Sequence, residues 1–175
     1  MKKQILISLS IVLIGFLPML VKSQSARITA DSKAAKAEFI KTDPSMASLF
    51  ASSYGYVIFP NVGKGAVGVG GAAGNGAVYE KGKIVGGAKL RQVSVGLQVG
   101  GQSYREIIFF ENKTSLDHFK NNKVEFSGQV SAIAAKANAS ANVQYRDGVA
   151  VFTEGKNGLM VEAAIGGQKF SYEKK

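Results

Sequence analysis

Apolar and polar residues recur along this chain in two different rhythms. Before about residue 55 the spacing is helical. Met46, Leu49 and Phe50 fall at i, i+3 and i+4 behind Asp43-Pro44, an N-cap residue with proline in the first turn, and Gly55 offers a stop. An earlier helix, over about residues 30–41, sets Phe39 and Ile40 against Lys33, Lys36 and Lys41. Such a stripe either docks on a sheet with its lysines solvated or lies on a membrane surface. From Tyr56 onward the rhythm is that of strands. Tyr56–Pro60 is a short buried-type run ending at proline, and Ala77–Val85 is a hairpin turning near Lys81-Gly82.

Alternation is strict in Arg91–Gly101, where Val93, Val95, Leu97 and Val99 share a face. Arg105–Glu111 is a further strand, followed by a brief helix capped by Thr114 with Leu116 and Phe119 turned inward. Asp147-Gly148 is a strong hairpin signal inside Val143–Thr153, and Gly158–Gly167 and Gln168–Glu173 continue a meander. Ser127–Ala141 stays open between helix and extended chain. The pattern predicts an α+β fold: a curved antiparallel β-sheet assembly, meander or barrel-like, with a few helices that are mainly N-terminal.

The first residues follow a different logic. Lys2 and Lys3 precede an apolar run from Ile5 to Leu20, and a small residue follows at Ser23. This is the layout of a cleaved secretory leader over residues 1–23, with one domain over 24–175. Export to the periplasm or outer envelope, or secretion, is the expected fate. The 175 residues carry a net charge of +10, and loss of Lys2, Lys3 and Lys22 with the leader lowers it to +7. A basic exported protein without cysteine suits anionic partners and cannot use thiols. Export, and the lack of basic runs interleaved with aromatics, argue against nucleic acid.

Glycine is the compositional anomaly. Gly63, Gly65 and Gly68 form a literal G-x-G-x-x-G, the dinucleotide fingerprint. That site needs a helix to open directly after it. Here Gly70, Gly71, Gly74 and Gly76 follow, each costing a helix about 1 kcal/mol against alanine, and Lys64 precedes a glycine where a phosphate loop needs a hydroxyl. A phosphate cradle is therefore excluded. If Lys64–Ala72 is extended, Ala66, Gly68 and Gly70 share a face. Ser94 and Gly96 do so in a second strand, and Ala164 and Gly166 in a third. A face so bare implies close approach, either of a packed helix or of an acyl chain or partner strand in a groove.

Catalytic constellations are lacking. His118 stands beside Asp117, but adjacent helical residues diverge, and no G-x-S-x-G elbow occurs. The acids are scattered and form no metal-ligand cluster. The sequence points to no enzyme, no cofactor and no metal.

The segments "YGYVIFPNVGKGAVGVGGAAGNGAVY", "VSVGLQVGGQSYREIIFF", "GQVSAIAA" and "GLMVEAAIGGQKFSY" occur in the order seen in the SYLF domain family, which this chain resembles. The last carries Lys156, Gly158, Leu159, Met160, Ala164 and Gly166 in the family's pattern. The resemblance implies a lipid-binding module: eukaryotic relatives bind phosphoinositides, and yeast members also bind and bundle actin. In some relatives a basic amphipathic N-terminal helix makes the membrane contact. The matching positions here are Lys33, Lys36 and Lys41, with Phe39 and Ile40 as apolar contacts, and Lys64 at the family's lysine-glycine strand start. Export sets actin and phosphoinositides aside and favours anionic phospholipid in general. A structural, partner-binding role in the envelope is the alternative.

Overall fold

The computed structural model describes residues 24–67, 69–94, 102–121, 145–155 and 167–175, of which 64–67, 69–70, 93–94 and 102 are described by backbone alone. Helix α1 occupies residues 24–42, longer than its apolar stripe predicts. Helix α2 is Met46–Ser52. Asp43 shapes the junction, its carboxylate accepting from the Ser45 amide at 3.0 Å and from the Ser45 hydroxyl. The Met46 amide donates to the Asp43 carbonyl at 3.0 Å, so the helix starts just past the expected proline. Gly55 is the first residue of β1 and does not end α2, which stops at Ser52.

The strands are β1 Gly55–Val67, β2 Val69–Glu80, β3 Lys83–Ser94, β4 Gln102–Phe110, β5 Val149–Gly155 and β6 Gln168–Lys174. They form one sheet in the order β5-β4-β1-β2-β3-β6, with every neighbouring pair antiparallel. Pro60 does not end β1 as expected, because an irregularity between Ile58 and Val62 takes the proline out of the ladder. The Lys81-Gly82 turn has φ of +48° and +75°, the left-handed pair of a type I′ hairpin, and Asp147-Gly148 repeats it at +51° and +74°. Both predicted turns hold. Helix α3, Lys113–Lys120, is capped not by Thr114 but by Asn112, whose side chain accepts from the Ser115 amide at 3.0 Å. Asn112 has the extended backbone an N-cap needs, whereas Thr114 already lies inside the helix.

The sheet is buried on both faces. Ile58, Ala77, Ile107, Phe109, Ala150 and Phe152 point to one, where α1 and α2 cover them with Ala35, Phe39, Met46, Leu49 and Phe50. Val57, Phe59, Val78, Leu90, Ile108, Phe110, Val151 and Phe170 point to the other, where α3 adds Leu116 and Phe119. Continuous apolar runs such as Tyr56–Phe59 and Ile107–Phe110 thus serve two cores at once.

Curvature is measurable across the second face. Gln168 on β6 donates to Glu106 on β4 at 3.0 Å, and the rings of Phe59 and Phe170 lie 5.8 Å apart. β4 and β6 are four strand spacings apart, about 19 Å in a flat sheet. Direct contact therefore requires a strong curl, as expected. The barrel-like expectation is corrected: among the described residues β5 and β6 end the sheet and do not pair with each other. The curl brings side chains together across the hollow without bringing the two edge backbones within laddering distance.

Glycine has two uses in this sheet. A Cβ at Gly76 would lie 2.6 Å from the Ile58 carbonyl and 2.8 Å from the Phe59 ring, whereas one at Gly63 would meet nothing within 4 Å. Gly76→Ala is expected to destabilise by about 1–3 kcal/mol, since a backbone carbonyl cannot give way, while Gly63→Ala is neutral or stabilising by up to about 1 kcal/mol. Urea unfolding of the two variants checks this, and equal losses would contradict it.

Tyr79 stacks on Tyr56 with centroids 4.7 Å apart, and its buried hydroxyl has no hydrogen-bond partner among the described residues. Burial, with a smaller contribution from Tyr56, pushes its pKa up to about 12. A raised folded-state pKa gives stability that is complete below the unfolded value near 10 and lost as pH rises toward 12. Tyr79→Phe is expected to be stabilising by about 1 kcal/mol at neutral pH and to flatten the decline between pH 10 and 12. Thermal unfolding across that range is the measurement.

Candidate functional site

Helix α1 carries most of the residues that the sequence singles out, and its periodicity sorts them. Ser32, Ala35 and Phe39 recur at i, i+3 and i+7 on the sheet side. Phe39 is 1% exposed, and Ile40 is half-buried against the same core. The apolar stripe therefore docks on the sheet, and Phe39 has no surface left for a bilayer. Ser32 donates to the Ile58 carbonyl, and Thr42 donates to Glu154 at 2.7 Å, which ties both ends of this face to strands.

The lysines part company. Lys33 and Lys41 are exposed on the outer side of α1. Lys36 is turned inward, its ammonium 4.3 Å from the Phe50 ring centre and 3.3 Å from the Tyr56 hydroxyl, to which it donates. Burial lowers its pKa. It serves as a cation over an aromatic pair and not as an outward contact. The three helix lysines therefore do not form one patch.

The glycine-rich stretch is a hairpin and not the single strand Lys64–Ala72 expected from alternation. Lys64 pairs with Ala72, Ala66 with Gly70 and Val67 with Val69, and Gly70 also pairs with Ser94. No nucleotide-clasping helix opens here: Gly70–Gly76 is strand β2. Gly68, Gly96, Ala164 and Gly166 lie outside the described residues. Elsewhere glycine does line a depression. A groove of about 390 Å³ runs between the start of α1 and the sheet, walled by Ile28, Thr29, Gly76, Ala77, Ile84 and Gly87. A Cβ at Gly87 would stay 3.7 Å from its nearest neighbour, while one at Gly86 would strike the Glu173 carbonyl at 2.4 Å.

Two groups of residues escape sequence reasoning. The first is a polar nucleus inside the curl, where Glu106 and Gln168 are fully buried beside Thr153 and Gln92. Gln168 Nε2 also lies 3.5 Å from the Tyr104 hydroxyl. The second is a basic face on β3 and β6 made of Lys89, Arg91 and Lys169, with Lys89 paired to Glu173. Both depend on pairing between segments far apart in the chain, and no local pattern announces that. His118 is exposed, and its neighbour Asp117 is paired with Lys113. That salt bridge holds the Asp117 carboxyl below its usual range. Among the described residues no cluster of three metal-ligating side chains occurs.

Residues 91–175 match the family model described as Ysc84: Las17-binding protein actin regulator. Just under half of the chain, 85 of its 175 residues, thus carries a Ysc84/SYLF match, in the order of segments that the sequence resemblance gave. The chain is 27% identical over 164 residues to the Beta cell expansion factor A of Aeromonas veronii, an alignment covering 87% of this chain and 59% of that protein. The chain thus spans about three-fifths of its relative's length. The family match takes in the end of β3, then β4, α3, β5 and β6, and so contains Arg91, Glu106, Gln168 and Lys169, while β1 and β2 lie outside it.

The Glu106–Gln168 bond can be tested directly. Gln168→Leu removes a donor from a fully buried carboxyl and is expected to cost about 2 kcal/mol in urea unfolding. Gln168→Glu sets two carboxyls together and should cost more at pH 7 than at pH 4. A neutral result for both would remove this bond from the forces holding the curl.

Proposed function

We propose that this protein is a non-enzymatic module that binds anionic phospholipid surfaces, acting in the periplasm or at the cell envelope after export. The observation that carries this reading is the disposition of charge. Among the described residues seven of the ten acidic groups are turned to partners within the protein, while Glu38, Glu111 and Asp147 stay exposed. Asp31, Glu80, Asp117, Glu154 and Glu173 sit in ion pairs, Asp43 braces the α1–α2 junction and Glu106 lies in the core. Cations such as Lys33, Lys41, Lys83, Arg91, Lys169 and Lys174 stay exposed. An exterior of this kind is attracted to a negative surface at about 1 kcal/mol per adjacent cation, screened over about 8 Å at physiological salt. The match of residues 91–175 to the Ysc84/SYLF family, a family of lipid- and actin-binding modules, supports the same class of activity.

Helix α1 contributes modestly to that attraction. Its outward side carries Arg27, Lys33 and Lys41 but also Asp31 and Glu38, and Arg27 lies 3.8 Å from Asp31. A second reading, a module that binds a protein partner in the envelope, draws on the family description, which names Las17 binding and actin regulation. Stoichiometric recovery of one protein from envelope extracts, with no lipid retained, favours that alternative.

Vesicle sedimentation distinguishes the two. The protein is expected to pellet with phosphatidylcholine vesicles containing phosphatidylglycerol and not with pure phosphatidylcholine, and to be released by rising salt. Lys36→Met is expected to leave vesicle affinity unaltered, because that ammonium faces Phe50 and Tyr56. Equal, salt-independent binding to both vesicle types sinks the electrostatic reading.

A further inference from the structure

On the side that carries α1, the sheet leaves part of its apolar surface open. The groove of about 390 Å³ lies over β2, β3 and β6, and the start of α1 closes one flank. Its floor is the register row Ala77, Gly87 and Glu173. Ala77 belongs to the core beneath α1 and α2, while Ile28 and Ile84 pack at the margin of that core and stay half-buried. A Cβ at Gly87 would find its nearest neighbour, the Gly76 carbonyl, at 3.7 Å. The depression therefore exists because this position carries no side chain, and not because another group presses on it.

The floor restricts what can lie there. Strand β3 is laddered to β2 on one side and to β6 on the other, so it has no row of free main-chain groups to offer. A peptide laid across it would bury its own amides without partners, whereas an alkyl chain has none to satisfy. The volume is near the lower end of the range for sites that take one small ligand, about 300–1,000 Å³. That leaves room for one chain and not for the pair of a diacyl lipid.

Charge selects the head. Lys89, Lys174 and Lys175 border the groove against one acid, Glu173, which is already held by Lys89. Lys174 and Lys175 are exposed and take part in no ion pair among the described residues. The Lys175 amide donates to the Val85 carbonyl at 3.2 Å, which fastens the end of β6 beside Ile84. Cations thus stand at the edge of the sheet, and apolar groups two strand spacings away, about 10 Å, toward α1.

We infer that this groove binds the alkyl chain of a fatty carboxylate, with the head at Lys174 and Lys175 and the tail crossing Gly87 toward Ile28. The inference goes beyond the membrane reading and does not depend on it. A dissolved fatty acid needs no surface, and a phospholipid surface needs no groove.

Isothermal titration with sodium dodecanoate, below its micelle concentration and at low salt, is the test. One dodecanoate per protein is expected, with octanoate at least about 10-fold weaker, since each methylene withdrawn from water contributes up to about fourfold. Dodecyltrimethylammonium, the same chain with the opposite charge, should also bind at least about 10-fold more weakly. Gly87→Leu puts a side chain into the groove and is expected to weaken dodecanoate at least about 10-fold. Its Tm and its sedimentation with phosphatidylglycerol vesicles should stay as in the parent. Should Gly87→Leu lose its fold, Lys174→Gln with Lys175→Gln decides: these exposed positions are outside the core, and dodecanoate should weaken about fivefold. Equal affinity of a folded Gly87→Leu and the parent, several chains per protein, or indifference to the sign of the head overturns the assignment. So does a parent that ignores dodecanoate; if it still pellets with phosphatidylglycerol vesicles, the membrane reading stands without the groove.

Discussion

Two-sided burial is the constraint on which the rest of this structure depends. The runs Tyr56–Phe59, Ile107–Phe110 and Val149–Phe152 are apolar at consecutive positions, so each must find cover above and below the sheet. Alternation along a strand sends half of each run to either face. On one face α1 and α2 supply the cover, with Phe50 packing edge-on to Phe109 and Tyr56 at 4.9 Å. On the other, one short helix supplies Leu116 and Phe119, and curl supplies the rest by folding β6 back toward β1 and β4. Burial of this extent is the main favourable contribution to stability, at roughly 25 cal/mol per Å² of apolar surface.

Curl in turn explains how the glycines are distributed. Gly55, Gly76 and Gly86 occupy positions where any side chain would collide with a carbonyl of the adjoining strand, at 2.6, 2.6 and 2.4 Å. They allow the sheet to bend and bulge while its ladders stay intact. Gly63 and Gly87 are under no such pressure and face open space on the α1 side. A bare patch on the convex side is thus the companion of a crowded concave one. Docking of α1 along the middle of the sheet settles which part of that convex side reaches solvent.

How much of this can be read from the sequence varies with the range of the interaction. The I′ turns at Lys81-Gly82 and Asp147-Gly148 are legible because two adjacent residues determine them. So are the inward positions of Leu116 and Phe119, and the rejection of a phosphate loop, since glycine-rich β2 could not be helical. Short-range signals fail where a neighbour competes. Thr114 loses the cap of α3 to Asn112, and Pro60 is absorbed by an irregularity in β1. The stripe on α1 is correct as a pattern but ambiguous in its use, since a sheet and a bilayer ask for the same periodicity. Only the partner, here Tyr56 and Ile58, decides. Long-range features leave no local trace. Glu106 reads as one acid among many until β6 curls back to bring Gln168 to it.

The two margins of the sheet differ in how they are finished. All seven residues of β5 are buried, so that edge is withdrawn from solvent by packing. Strand β6 is half-open and carries Lys169, Glu173 and Lys174 along its length. A free strand is ordinarily a template onto which another chain can hydrogen-bond, and charged side chains, lysine above all, make that addition unfavourable. A protein whose sheet stays open therefore has no inviting seam for a second copy to extend, and its curl can end without closing and without growing into a fibre.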